Sequence, residues 1–474
     1  MLAGFSRVSL IALMAVTLLS GGLPVADSAA ETAMRNYNLR TTSSQSSDQS
    51  GDASAEQAAT APGVVSNWFG SLTTSRQRGK SLTSSGQADD ALSTRTQIYD
   101  AQRSVVPMLG ARSAQALESA IEYYENIARS GGWGRIAGSR SLQPGGKGRA
   151  VIVLRQRLAI EGYLPAGAIA GEEYDSGLAQ AVAGFQENHG LAATGHVDNA
   201  TAKALSVPAR ARLDTMRANL IRMPEYTKDL GRKYVLVNIP AAKLEAVEGN
   251  RVVSSHAVIV GKPERPSPIV TSEISEINFN PYWHSPKSIV IKDIIPKARK
   301  SPRILSQMQI RIFDGYQGPE VDPRSINWRA PAEEIADRYH FRQEPGGENA
   351  MASVKINFHN KYSVYMHDTP TKTLFQENQR YFSSGCVRVE DVHQLASWVL
   401  ANQDGWNLQQ IKSVARSEDR IDVALKAKVS VHWVYLTAWA GPDGMVRFRD
   451  DIYGLDGTGF ITGQPIGSPE DQAG

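Results

Sequence analysis

The chain has 474 residues, a formal net charge of +3, 41% hydrophobic residues and one cysteine. That length exceeds a single ordinary core, so two or three domains are expected. The small charge, with no basic block and no interleaving of basic and aromatic residues, argues against nucleic acid as a partner. One cysteine excludes a disulfide framework.

In chain order, Arg7 precedes an apolar run, residues 8–19, and small residues follow up to Ser28-Ala29-Ala30. This is the pattern of a cleaved secretory signal over residues 1–30, and the run is too short to span a bilayer. Residues 31–95 are rich in Ser, Thr, Ala, Gln and Gly. They hold too little apolar surface to offset their ordering entropy and read as a disordered linker. Trp68-Phe69 is an isolated apolar pair within it.

Residues 96–145 read as a helical scaffold segment. Leu117, Ile121, Tyr124 and Ala128 recur at helical spacing over residues 113–129, and Gly131-Gly132 ends the helix. Residues 146–207 read as a compact three-helix module. Leu154 and Leu158 share one face, and Leu178, Val182 and Phe185 share another. Asp198 stands as N-cap before Ala204 and Leu205, and turns fall at Gly162 and Gly190. Residues 208–231 continue as helical scaffold or linker.

From residue 232 the apolar period becomes two. Residues 233–239, 244–247 and 252–260 are expected strands, with a hairpin turn at Gly249-Asn250. Residues 285–350 interrupt this pattern. Helices are expected over 288–300 and after Ala330-Pro331-Ala332-Glu333-Glu334, and the segment reads as a helical lid or capping insertion. Strands are expected at 354–358, 362–366 and 431–439, a helix at 392–400, and a last hairpin around residues 441–444. The β domain is taken to end at 456, and 457–474 reads as a disordered tail.

The chemistry concentrates in residues 365–388, Y-M-H-D-T-P-T-K-T-L-F-Q-E-N-Q-R-Y-F-S-S-G-C-V-R. Cys386 follows Ser383-Ser384-Gly385, and His367 stands upstream at the end of a strand-like run. Acyl transfer through sulfur needs a thiol nucleophile, a base and backbone donors for the oxyanion. Cys386 and His367 fit the first two. The N–H groups of Ser384, Gly385 and Cys386 are candidates for the third. An unpaired thiol in an exported chain is a liability unless it has a use. Asp368 or a backbone carbonyl is expected to orient the imidazole. Arg388 has two readings, a clamp on a substrate carboxylate or an ion pair with Glu390. Tyr365 also has two, substrate contact or core packing. His284, His340, His359, His393 and His432 show no metal-ligand spacing, so no metal and no cofactor is expected. No Ser-x-x-Lys occurs, which excludes the serine transpeptidase mechanism.

The stretch from His367 to Arg388, ending S-S-G-C-V-R, resembles the catalytic motif of L,D-transpeptidases of the YkuD type, and within them the YcbB-like branch. Ser384 replaces a histidine common in that family, and Arg388 an asparagine. The phrases Y-Y-E-N-I-A-R-S-G-G-W, K-Y-V-L-V-N-I-P-A, I-N-F-N-P-Y-W-H-S-P-K-S-I and F-R-D-D-I-Y-G extend the likeness over most of the chain. L-R-Q-R-L-A-I-E-G-Y-L and T-G-H-V-D-N-A-T are similar to a three-helix peptidoglycan-binding module. The fold so implied is multidomain α+β, a β-rich catalytic domain with a helical lid beside an all-α scaffold and module. The activity implied is cleavage of a tetrapeptide stem between diaminopimelate and D-alanine, with transfer to a diaminopimelate amine as a 3–3 cross-link. Catalysis would rest on Cys386 and His367, the oxyanion site on Ser384 and Gly385, and substrate contacts on Arg388, Tyr365 and Ser383. Partners would be peptidoglycan stem peptides and glycan, with a D-amino acid or an envelope protein as other acceptors. The address would be a Gram-negative periplasm, at the cell wall, with no membrane span after signal cleavage.

Overall fold

The computed structural model describes residues 97–98, 105–136, 142–441 and 443–457. The signal peptide, the 31–95 linker with Trp68-Phe69, and all but Gly457 of the tail lie outside these residues. The architecture is α+β, a helical part packed on a closed β-sheet with a separate capping insertion.

Strand β1 (Gln97–Ile98) precedes helix α1 (Ser113–Arg129). Leu117, Ala120, Ile121, Tyr124 and Ile127 form the buried face of α1, so Ile127 takes the inward position expected of Ala128. Gly131 and Gly132 stop it with φ of 93° and 72°, a backbone that favours glycine, and Gly132 N–H returns to Ile127 O at 2.9 Å. Helices α2 (Arg149–Ile160), α3 (Ser176–Asn188) and α4 (Asn199–Leu205) enclose Leu154, Leu158, Leu178, Val182, Phe185 and Leu205. Asp175 and Asp198 cap α3 and α4, accepting from Leu178 N at 2.8 Å and Thr201 N at 2.7 Å. Helix α5 (Ala209–Thr227) returns alongside α1, burying Leu213, Met216 and Met223.

Eight strands then make a sheet that closes on itself. They are β2 (Lys233–Asn238), β3 (Lys243–Glu248), β4 (Arg251–Gly261), β5 (Val270–Phe279), β9 (Val354–Phe358), β10 (Met366–His367), β12 (Val387–Val389) and β13 (Ile421–Val434). The order is β4-β12-β10-β9-β5-β13-β2-β3, β3 pairs back to β4, and β11 (Tyr381–Ser383) pairs parallel with β4 beside this path. Gly249 and Asn250, at φ 58° and 65°, supply the tight turn between β3 and β4. Strand β2 is buried on both faces. Val235 and Val237 enter the sheet's interior, while Tyr234 and Leu236 meet α1 and α5. Helices α10 (Val392–Val399) and α11 (Leu408–Ser417) add Leu395, Val399 and Ile411 to the interior core.

The insertion departs from a purely helical lid. It contains the expected helix in three parts, α6 (Lys287–Ile289), a π turn (Val290–Ile294) and α7 (Ile295–Lys300). Helices α8 (Arg303–Gln307) and α9 (Ala332–Arg338) follow. It also contains a three-stranded sheet of β6 (Trp283–His284), β8 (Tyr339–Gln343) and β7 (Ile310–Asp314), in that order. The cause is visible in β7, where Ile310 and Ile312 alternate inward with exposed Arg311.

Two expected strands are also corrected. Of residues 362–366 only Met366 is in a strand. Ser363 has φ 56°, and the Asn360 amide accepts from Tyr362 N and Val364 N, so a side chain holds a turn where a ladder was expected. Residues 431–439 divide between the end of β13 and a separate hairpin of β14 (Ala438–Ala440) and β15 (Val446–Phe448). Asn238 and Asn219 side-chain oxygens accept from Leu436 N and Thr437 N at 3.0 and 2.9 Å, which ends the strand there.

Candidate active site

β10 and β12 run parallel, pairing Met366 with Val387 and His367 with Arg388. Met366, Val387 and Val389 enter the interior core. The period of two therefore turns His367 and Arg388 to the opposite face, and Cys386 directly precedes β12. There they line one cavity with Tyr365, Ser383, Ser384 and Gly385, so all seven residues singled out from sequence are brought together. Trp283, Ile289 and Ala350 of the capping insertion form another wall.

Cys386 is partly exposed at this cavity and is the free cysteine of the described residues. Its sulfur receives two donors from Tyr365, the backbone N–H and the side-chain hydroxyl. Burial pushes the thiol up to about 11, against the opposing pull of Tyr365, Lys355 and Arg388. The Tyr365 hydroxyl in turn takes the Trp283 indole N–H and is itself held well above its ordinary range by burial, then by Cys386. Its ring meets His367 edge-on at 5.5 Å. Tyr365 thus contacts the sulfur from a loop position and not from a strand face.

His367 Nδ1 lies 2.5 Å from the backbone oxygen of Asp368. A carbonyl only accepts, so Nδ1 carries the proton and Nε2 holds the lone pair. Burial, then Arg388, depresses the imidazole to about 3. Of the two orienting groups expected, the carbonyl is the one found. The Asp368 carboxylate accepts instead from Ser353 Oγ at 2.7 Å and from Thr369 N at 2.8 Å, and it pairs with Lys372. Ser353 Oγ also meets His393 Nε2 at 2.8 Å, a structural use of that histidine.

The turn from Ser383 to Cys386 is held from several sides. Gly385 has φ 116°, which favours glycine. Ser267 Oγ donates to Gly385 O at 2.8 Å. Ser383 Oγ donates to Cys386 O at 2.5 Å and accepts from Gly385 N at 3.2 Å. Ser383 thus braces the turn while lining the cavity, and the Gly385 N–H is engaged by Ser383 Oγ.

Arg265, Asp293 and Lys355 were missed in sequence. Arg265 Nη1 reaches Asp293 Oδ2 at 2.5 Å and Ser384 Oγ at 3.0 Å, tying the π turn of the insertion to the catalytic turn. Lys355, paired with His367 across β9 and β10, lies 4.4 Å over the Tyr365 ring. Arg265 lies far from residues 365–388 in the chain and no local pattern marks it. Lys355 sits on the strand-pairing row, legible only once register is known. His359, by contrast, is exposed, and its carbonyl accepts from Ser272 Oγ.

Residues 232–428 match the family model described as the L,D-transpeptidase catalytic domain, YkuD. This part of the chain is similar to the YkuD-type L,D-transpeptidase catalytic domain. Residues 147–205 match the model "Putative peptidoglycan binding domain". A curated Haemophilus influenzae protein, "Putative L,D-transpeptidase", is 31% identical over 257 residues, covering 54% of this chain and 50% of its own length. The match thus spans about half of that relative. Among solved structures, the L,D-transpeptidase of Stackebrandtia nassauensis is 13% identical, covering 62% of this chain and 95% of that one, at a TM-score of 0.24. That of Xylanimonas cellulosilytica is 17% identical, covering 62% and 96%, at 0.20. At these scores neither informs the chemistry. The L,D-transpeptidase domain lies with its peptidoglycan-binding neighbour in one compact unit, and among the described residues no helix is long and apolar enough to cross a membrane.

Proposed function

We propose that the protein is a peptidoglycan L,D-transpeptidase working through a thioester on Cys386. The observation that supports this best is the sulfur held by two Tyr365 donors, in the same cavity as an imidazole whose Nδ1–H is tied back and whose Nε2 is free to accept. Both groups rest neutral, the thiol raised and the imidazole depressed. His367 therefore acts as general base during attack and no thiolate–imidazolium pair is stored beforehand. Sulfur adds to the carbonyl of the diaminopimelate–D-alanine bond while Nε2 takes its proton. The oxyanion is met by the Ser384 and Cys386 N–H groups. The C–N bond breaks, Nε2 returns the proton to the D-alanine amine, and a thioester remains. A diaminopimelate side-chain amine then attacks the thioester, passes its proton through His367 to sulfur, and closes the 3–3 cross-link. Arg388 at the cavity wall offers its guanidinium group to a carboxylate of the stem.

The signal-like pattern of residues 1–30 and the peptidoglycan-binding match support a place in the periplasm against the wall. Incubation of the purified protein with disaccharide-tetrapeptide tests the reading by mass analysis. A dimer smaller by one D-alanine is expected. Exchange of the terminal residue for an added D-amino acid would move the acceptor to that class. Intact-mass detection of a carbapenem adduct, absent in Cys386→Ala, tests the nucleophile. No product and no adduct would leave a wall-binding protein without catalysis.

A further inference from the structure

The sheet of the capping insertion has an outer face that the reaction does not use. Its register pairs His284 with Arg342, Arg311 with Arg342, and Phe313 with His340. Trp283, Ile310, Ile312 and Phe341 of the same strands are buried, so alternation turns the first set outward. The rings there form a continuous run. His284 and His340 centroids lie 5.0 Å apart, with Nδ1 and Nε2 2.8 Å from one another. Tyr316, 68% exposed, lies 4.8 Å from His340 and 5.5 Å from His284. The Arg342 guanidinium sits 4.4 Å over Tyr282 and 4.5 Å over Phe313.

Charge on this face cancels. Arg311 pairs with Glu320, Arg342 with Glu344, and Arg420, which lies over Tyr282, with Asp422. A polyanion finds no surplus of cations there. A solvent-facing group of ring planes without net charge matches the C–H face of a sugar ring, with imidazole and guanidinium N–H at its edges for hydroxyls. The strand that carries His284 outward carries Trp283 into the wall of the Cys386 cavity. If that cavity takes the stem peptide, the glycan to which the stem is attached lies outside it, against the neighbouring surface.

We propose that this outer face is a glycan-binding platform that holds the sugar backbone of the strand whose stem peptide enters the cavity. The proposal rests on the substrate reading above. The test uses the full chain and immobilised glycan strands stripped of their peptides. The native protein binds them, Tyr316→Ala weakens binding roughly threefold to tenfold, the effect of losing one stacked ring, and Tyr316→Trp restores it. Turnover of a sugar-free tetrapeptide stem is unchanged in both variants. Failure of the native protein to bind, or undiminished binding by Tyr316→Ala, overturns the platform. So does equal loss of sugar-free turnover. If Tyr316→Ala loses glycan binding but the native protein never turns over the stem, the platform stands and the transpeptidase reading falls.

Discussion

The three-helix module and the cavity at Cys386 both bury charged or titratable groups, and they do so in opposite ways. In the module, Arg157 pairs with Glu161, both side chains only 1% exposed. The guanidinium also stacks 3.5 Å over Trp133, and Glu161 accepts from Tyr124 O–H at 2.8 Å. Every feature of that pair points inward and joins α2 to α1 and to the segment after it. In the cavity, His367 and Cys386 line one space, and burial pushes the imidazole down and the thiol up, each toward its neutral form. Buried opposite charges satisfy each other and lock two elements together. Buried neutral groups with a proton to exchange leave their chemistry available to a third molecule.

The sharpest way to break this comparison is to remove one member from each. His367→Ala is expected to slow acylation of Cys386 by about 10²- to 10⁴-fold with the fold intact, read by adduct formation against melting temperature. Near-native rates would remove His367 from the mechanism. Glu161→Ala is expected to do the reverse. It strands a buried guanidinium and should cost about 3–5 kcal/mol in urea unfolding, while the folded fraction keeps its turnover. A stable variant would show that Arg157 finds water.

A graded effect comes from acid. His256 and His367 are held near 4 and near 3 by burial, below the ordinary value near 6.5. Between those values the unfolded chain binds protons that the folded chain refuses. Stability is therefore full above pH 6.5 and falls as pH drops below it, by up to about 1.4 kcal/mol per pH unit for each histidine. Chemical denaturation at pH 7.5, 6 and 5 reads this directly. A flat profile would mean that these imidazoles take up protons in the folded state.

Much of the local structure was legible because it rests on local causes. The ends of α1, the cap Asp198 and the β3–β4 turn each depend on residues a few positions apart. The failures share another cause. The strand expected through 362–366 is undone by Asn360, and that through 431–439 by Asn238 and Asn219, side chains that take backbone groups away from the ladder. The sheet in the insertion was overlooked although Ile310 and Ile312 alternate, since the run is short and lies among helices.

Read alone, the order of residues determined which chemistry is available, a thiol on a glycine turn with one histidine upstream, because reactivity belongs to side-chain type and near neighbours. Tertiary structure decided who attends that sulfur. Tyr365 became its donor, Asp368 lent a carbonyl and not a carboxylate, and Arg265 arrived from a distant loop to join Asp293 to Ser384. Hydrogen bonds of that kind depend on distances of about 3 Å between strands, and strand register is a property of the closed sheet as a whole.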